Sequence, residues 1–184
     1  MVIVFIGPPG CGKGTQANIL KDSILPDLNI LTVSSLLKEK SQDESILGKE
    51  IKHKMDNGDL IEDTVVISVL KEKVNSLSNE QVLIDGFPRS SIQANSLLEI
   101  FGNKELSIIN FEVDDDQLLQ RIKKRATEES RADDSFFEKR LQIYKKSHLE
   151  ITNTLKKNYQ VTDIQANDEI NTVTAKIVDK LGLN

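Results

Sequence analysis

The sequence predicts an α/β protein of three layers, a central parallel sheet flanked on both sides by helices. Three observations lead there. Short β-branched runs alternate with stretches of helical period along the chain, the pattern of a parallel sheet wrapped on both faces. The first run, Val2-Ile3-Val4-Phe5-Ile6, is apolar throughout, as a strand buried on both faces must be. At 184 residues the chain can bury one sizeable core and is cramped for two domains.

The opening strand at 2–6 runs into Gly7-Pro-Pro-Gly-Cys-Gly-Lys-Gly-Thr15, ahead of a helix from 14 to about 24. A Gly-rich turn from a buried strand into a helix start aims several backbone N–H groups at one spot, where the helix dipole also favours an anion. Lys13 adds a point charge for the outer phosphates. The spacing is a variant of the general phosphate loop: Gly7, Gly12 and Lys13 match, but Gly14 stands where a hydroxyl is usual and Thr15 follows one position later. Cys11 reads as a small, incidental loop residue.

Helical pattern fills 34–56, inside a stretch at 32–61 that offers the sheet no strand and reads as an insertion. A helix at 63–76, a strand at 81–85, a helix at 90–100, a strand at 107–113 and a helix opening after Asp114-Asp115-Asp116 follow. Residues 126–135 are polar throughout and read as a loop. A helix from Phe136 to about Lys157, a strand at 159–164 and a helix at 169–181 complete the chain. In the last helix Ile170, Val173, Ile177, Val178 and Leu181 share one face and read as core. His53 and His148 lie in polar helical stretches and read as solvated.

A net charge of -5 with 29% charged residues predicts a soluble protein without general affinity for nucleic acid. One cysteine excludes an internal disulfide, and with two histidines it makes no Cys/His zinc set. No apolar run is long enough for a membrane span or a secretory core, so a cytoplasmic protein is expected.

Of 24 basic residues only five are arginine: Arg89, Arg121, Arg125, Arg131 and Arg140. In a chain that leans to lysine, these are candidates for bidentate grip of phosphate or stacking on a base. Asp85 closes one strand and opens Asp85-Gly86-Phe87-Pro88-Arg89. Ligands of open α/β sheets sit beyond the carboxyl ends of strands, which places Asp85 toward the phosphates. Because Gly14 lacks the usual hydroxyl, Asp85 and Thr15 are the candidates for Mg²⁺, Asp85 directly or through water.

With the phosphate loop, Asp-Gly-Phe-Pro-Arg and the arginine-bearing loop in this order, the sequence resembles the adenylate kinases, within the nucleoside monophosphate kinases, over essentially its whole length. The resemblance implies a sheet of about five strands, a core of about 1–31, 62–124 and 134–184, an NMP-binding insertion at about 32–61, and a short lid at about 125–133 without zinc. It implies a monomeric enzyme that uses Mg²⁺ to transfer the terminal phosphoryl group of ATP to AMP reversibly, giving two ADP, with no nucleic-acid or membrane partner. By the same resemblance Gly10, Cys11, Gly12, Lys13, Gly14 and Thr15 hold ATP phosphates, and Arg121 and Arg125 lie along the ATP adenine and phosphates. Arg131 with Arg89 and Arg140 clamps the transferring group and the AMP phosphate, and Asp133 and Asp134 hinge or fasten the lid. Asp59, Leu60, Ile61, Gly86, Phe87, Pro88 and Gln93 contact the acceptor nucleotide, Gln93 its base.

The departures fall in one place. The family's Ser-Thr-Gly-Asp is Thr32-Val33-Ser34-Ser35 here, and its AMP-phosphate arginine corresponds to Lys38. Val33 loses a hydroxyl contact, and Lys38 holds phosphate without the guanidinium fork. UMP/CMP kinases, the alternative, also resemble the chain but place Asn where it has Gln93. A GTPase-like switch needs Asn-Lys-x-Asp, and Asn103-Lys104-Glu105-Leu106 fails at the aspartate. A nucleotide-binding protein with weak turnover is suggested only by Val33 to Lys38. No general base is expected, because a phosphate acceptor with a second pKa of about 6 is largely ionised at neutral pH; Lys13, Arg89, Arg125, Arg131 and Arg140 are to neutralise charge.

Overall fold

The computed structural model describes residues 1–57, 59–77, 81–128 and 137–183, with backbone alone at 125–128, 137, 139 and 140. Its elements run β1 (Val2–Ile6), α1 (Lys13–Ser23), β2 (Asn29–Thr32), α2 (Val33–Lys40), α3 (Ile46–Asn57), α4 (Asp63–Ser76), β3 (Val82–Asp85), α5 (Ser91–Phe101), β4 (Leu106–Glu112), α6 (Asp115–Glu128), α7 (Phe137–Asn158), β5 (Val161–Gln165) and α8 (Ile170–Leu181). The five strands are parallel, in the order β2-β3-β1-β4-β5.

β1 is the middle strand, and its alternate residues enter two different cores. Val2, Val4 and Ile6 pack with α2, α4, α5 and α7, whereas Ile3 and Phe5 pack with α1, α6 and α8. This is the physical reason the run carries no polar residue. Because the connections from β1 and β3 leave toward opposite edges, a crevice opens beyond the carboxyl ends of the central strands, where the Gly-rich turn emerges.

β2 is the element the sequence reading lacked. It is an edge strand of four residues beginning at Asn29, with only Leu31 fully buried, so neither an apolar run nor a clean alternation marks it. Pairing supplies what propensity does not, since it lies parallel to β3 with Thr32 level with Asp85. Most other predicted boundaries shift by one or two residues, but the helical pattern at 34–56 is broken at 41–45 into α2 and α3, and α6 runs through Glu128, three residues into the stretch at 126–135 read as a loop. Asp115 and Asp116 lie inside the first turn of α6, where carboxylates complement the dipole, and not ahead of the helix. In α8, Val173 and Ile177 are buried and Val178 and Leu181 pack partly, but Ile170 is 54% exposed and is not core.

His148 also departs from expectation. It is half-buried, and its ring stacks on Tyr144 at 4.6 Å and 29°. Burial lowers its pKa below the usual imidazole value, with Lys156 acting in the same direction and Asp163 opposing. Burial pushes the Asp163 carboxyl up, but hydrogen bonds from Asn110 and Lys156 outweigh this and hold it below its ordinary range. The two groups therefore act in separate pH windows. With a folded pKa below the unfolded value of about 6.5, His148 leaves stability unaffected above that pH and lowers it as pH falls further, because the unfolded chain binds the extra proton. Urea midpoints measured between pH 5 and 8 are expected to drop on the acid side, and His148→Gln is expected to flatten that drop.

Candidate functional site

The turn after β1 is shaped by backbone demands. Gly7 has φ +149°, and a Cβ there would lie 2.8 Å from Phe111 Cβ and 3.0 Å from Cys11 Sγ, so only glycine fits. Cys11 is 2% exposed and part of the core below the loop, so it is a packing residue and not incidental. Gly12, at φ +103°, precedes α1 and supplies no side-chain cap, which leaves the first N–H groups of the helix facing the turn. Lys13 folds back over this turn: Nζ donates to the carbonyls of Gly7 and Pro8, each at 2.9 Å, and reaches Cys11 Sγ at 3.4 Å. An ammonium held by carbonyls of its own loop is poised to exchange them for an anion.

Two further predicted residues converge on this loop. Asp85 is level with Phe5 in the sheet, one strand away, and its Oδ2 lies 3.8 Å from where a Cβ on Gly14 would stand. Gly14 thus leaves room beside a carboxylate. Thr15 is exposed on the first turn of α1. Two oxygens of this kind suit a hard divalent cation whose remaining ligands are phosphate and water. Arg121 on α6 donates from Nη1 to Cys11 O at 3.2 Å and from Nη2 to Ala166 O at 2.6 Å, tying the loop to the segment after β5. Asn167 steadies that segment through reciprocal bonds with Asp114, at 3.0 and 2.9 Å.

The segment after β3 forms a second cluster. Phe87 and Pro88 are buried, which anchors the segment and leaves Gly86 and Arg89 nearer its surface. Arg89 Nε donates to Gly86 O at 2.8 Å, and a Cβ on Gly86, whose φ is +83°, would lie 2.9 Å from an Arg89 terminal nitrogen. The Arg89 backbone N–H donates to Gln93 Oε1 at 2.7 Å, and Gln93 Nε2 donates to Asp63 Oδ1 at 2.6 Å. Neither Asp63 nor Asn167 was among the residues singled out from the sequence. Asp63 reads there as an ordinary acid in a first helical turn, and its partner is thirty positions away.

Of the other predicted acceptor-site residues, Val33 is buried in the core at the start of α2, while Lys38 is exposed on the same helix. Asp59 and Leu60 are exposed, Leu60 by 82%, and Ile61 packs partly against the core. Gly10, at φ +82°, belongs to the loop. Arg131, Asp133 and Asp134 lie outside the described residues, as do the side chains of Arg125 and Arg140 and most of the predicted lid.

The family model for adenylate kinase matches residues 5–162. An adenylate kinase of Prochlorococcus marinus (strain NATL2A) is 33% identical over 183 residues, covering 98% of each chain. One from Leptospira biflexa serovar Patoc is 37% identical over 139 residues, 72% of this chain and 73% of the relative. Another, from Synechococcus sp. (strain WH7803), is 31% identical over 180 residues, 95% of each.

Proposed function

The chain belongs to the adenylate kinase family, and on that premise we propose that the phosphate loop with the residues converging on it and the cluster after β3 carry the family's reaction. The protein is a phosphotransferase that moves the terminal phosphoryl group of ATP to AMP, giving two ADP; transfer to UMP or CMP is not favoured. The observation that carries the site assignment is Lys13 lying over a Gly-rich loop whose neighbours are Asp85 and Arg121.

In this reading Gly10 to Thr15 receive the ATP phosphates, and Arg121, already bonded to the loop, borders the adenine side. Lys13 exchanges the Gly7 and Pro8 carbonyls for phosphate oxygens. Mg²⁺ bound with ATP supplies charge neutralisation, and the residues that would hold it are Asp85, through water, and Thr15. Arg89 grips the acceptor phosphate from the β3 side, and Gln93 meets the acceptor base. Arg131, from a short lid at about 125–133 that Asp133 and Asp134 hinge or fasten, clamps the transferring group with Arg89 and Arg140, Arg125 lies along the ATP phosphates, and the closed lid excludes water as a competing acceptor. The helices α2 and α3 form the NMP-binding insertion of about 32–61. The enzyme is taken as a cytoplasmic monomer acting on soluble nucleotides; among the described residues no helix is long and apolar enough to cross a membrane.

The test is to supply ATP, Mg²⁺ and AMP and follow products. Two ADP per ATP consumed, with no phosphate released when AMP is omitted, supports the reading; AMP-independent phosphate release overturns it. Lys38 yields a second expected result. Lys38→Arg restores a fork at the acceptor phosphate and is expected to lower KM for AMP by about 3- to 10-fold with kcat little changed, measured by steady-state kinetics.

A further inference from the structure

Asp63, the first residue of α4, has no part in the roles given above, yet both its oxygens are committed around the amide of Gln93. Oδ1 accepts from Gln93 Nε2 at 2.6 Å, and Oδ2 accepts from Ser90 Oγ at 2.8 Å. Ser90 Oγ in turn accepts the Gln93 backbone N–H at 3.1 Å, and the Arg89 N–H donates to Gln93 Oε1 at 2.7 Å. We propose that Asp63 is a positioning residue that fixes which purine edge the Gln93 amide can read, and so makes the acceptor site select a 6-aminopurine over a 6-oxopurine; this rests on the reading of Gln93 as the contact to the acceptor base.

Donor and acceptor sense decides which edge is read. A carboxamide is nearly symmetric in shape, and rotating it by half a turn exchanges its donor and its acceptor. A 6-aminopurine presents a donor at N6 beside an acceptor at N1; a 6-oxopurine presents an acceptor at O6 beside a donor at N1. A freely rotating amide satisfies either edge. Here a carboxylate, which only accepts, faces one end of the amide, and a backbone N–H, which only donates, faces the other. The half-turn would set oxygen against oxygen and N–H against N–H, turning two hydrogen bonds into two repulsions. Gln93 is 5% exposed, so water cannot rescue the inverted amide. Each end keeps one position for a ligand, a second N–H on Nε2 and a second lone pair on Oε1, in one fixed sense. The bond between Ser90 and Asp63 also keeps the carboxylate from turning away.

The experiment compares kcat/KM for AMP and IMP, which differ in the 6-substituent and the N1 proton, at saturating ATP with the full chain. Asp63→Asn can accept or donate and so supports either amide orientation; Asp63→Ala removes the constraint. In both, the AMP-to-IMP ratio of kcat/KM is expected to fall by about tenfold or more. Partial unfolding scales both substrates alike and leaves the ratio untouched, so a merely structural role for Asp63 does not move this readout. Gln93→Met is the reference. If it lowers the ratio while both Asp63 variants keep the parental value, the role of Asp63 is overturned. If Gln93→Met leaves the ratio where it was, the reading of Gln93 itself has failed, and the inference with it.

Discussion

Lys13→Met is expected to lower kcat by about a thousandfold, a loss of roughly 4 kcal/mol of transition-state stabilisation, with little change in the unfolding midpoint. The two halves of that expectation have separate causes. Among the described residues the Lys13 ammonium bonds to Gly7 O, Pro8 O and Cys11 Sγ, all within its own loop, so folding loses about 1 kcal/mol when it goes. Met keeps the length and apolar character of the stem. Catalysis loses more because the Lys13 ammonium is the charge that lies over the turn, and phosphoryl transfer relies on charges already in place as the phosphate oxygens change their bonding. Steady-state kinetics and a denaturation curve on the same preparation check both halves. A variant with parental kcat would remove Lys13 from the mechanism, and one that is inactive because it is unfolded would show it in the curve.

The parts of the site that were legible in the sequence are those written in consecutive residues. Val2 to Thr15 announces a buried strand, a Gly-rich turn and a helix start, and Asp85 to Arg89 announces a strand end with two polar functions. Their proximity also followed, because parallel strands bring their carboxyl ends to one side of the sheet. What was illegible depends on partners distant in the chain. Asn29 to Thr32 becomes a strand by pairing with β3, not by its own pattern. His148 looked solvated among the lysines of α7, but its environment is set by Tyr144 one turn earlier and by Asp163 on β5 beneath. Cys11 looked incidental because its burial is decided by the packing of Phe111 and Gly7 around it. The network of Asp63, Ser90 and Gln93 joins α4 to α5, and no local period or spacing encodes it.

Arg89→Ala is expected to lower kcat/KM for AMP by about 10²- to 10³-fold, and Arg89→Lys to recover only a small part of that loss. Arg89 is fixed at two points before any ligand arrives, its backbone N–H by Gln93 Oε1 and its Nε by Gly86 O. A side chain held at both ends of its stem loses little rotamer entropy on gripping phosphate, so more of the contact energy reaches the transition state. Lysine cannot reproduce this, since it has no separate Nε to hold Gly86 O while a planar fork faces the phosphate, and its single ammonium would have to serve both from one point. Gly86 gives an independent check on the same geometry. A methyl there would meet the guanidinium at 2.9 Å, on backbone at φ +83°, so Gly86→Ala is expected to raise KM for AMP in the manner of Arg89→Lys while Arg89 itself is intact. ATP affinity, measured by equilibrium titration, should be unchanged in all three variants, because the phosphate loop rises from β1 and the Arg89 segment from β3. Full activity in Arg89→Lys would mean that a point charge suffices at this position and that the tether to Gly86 has no part in transfer.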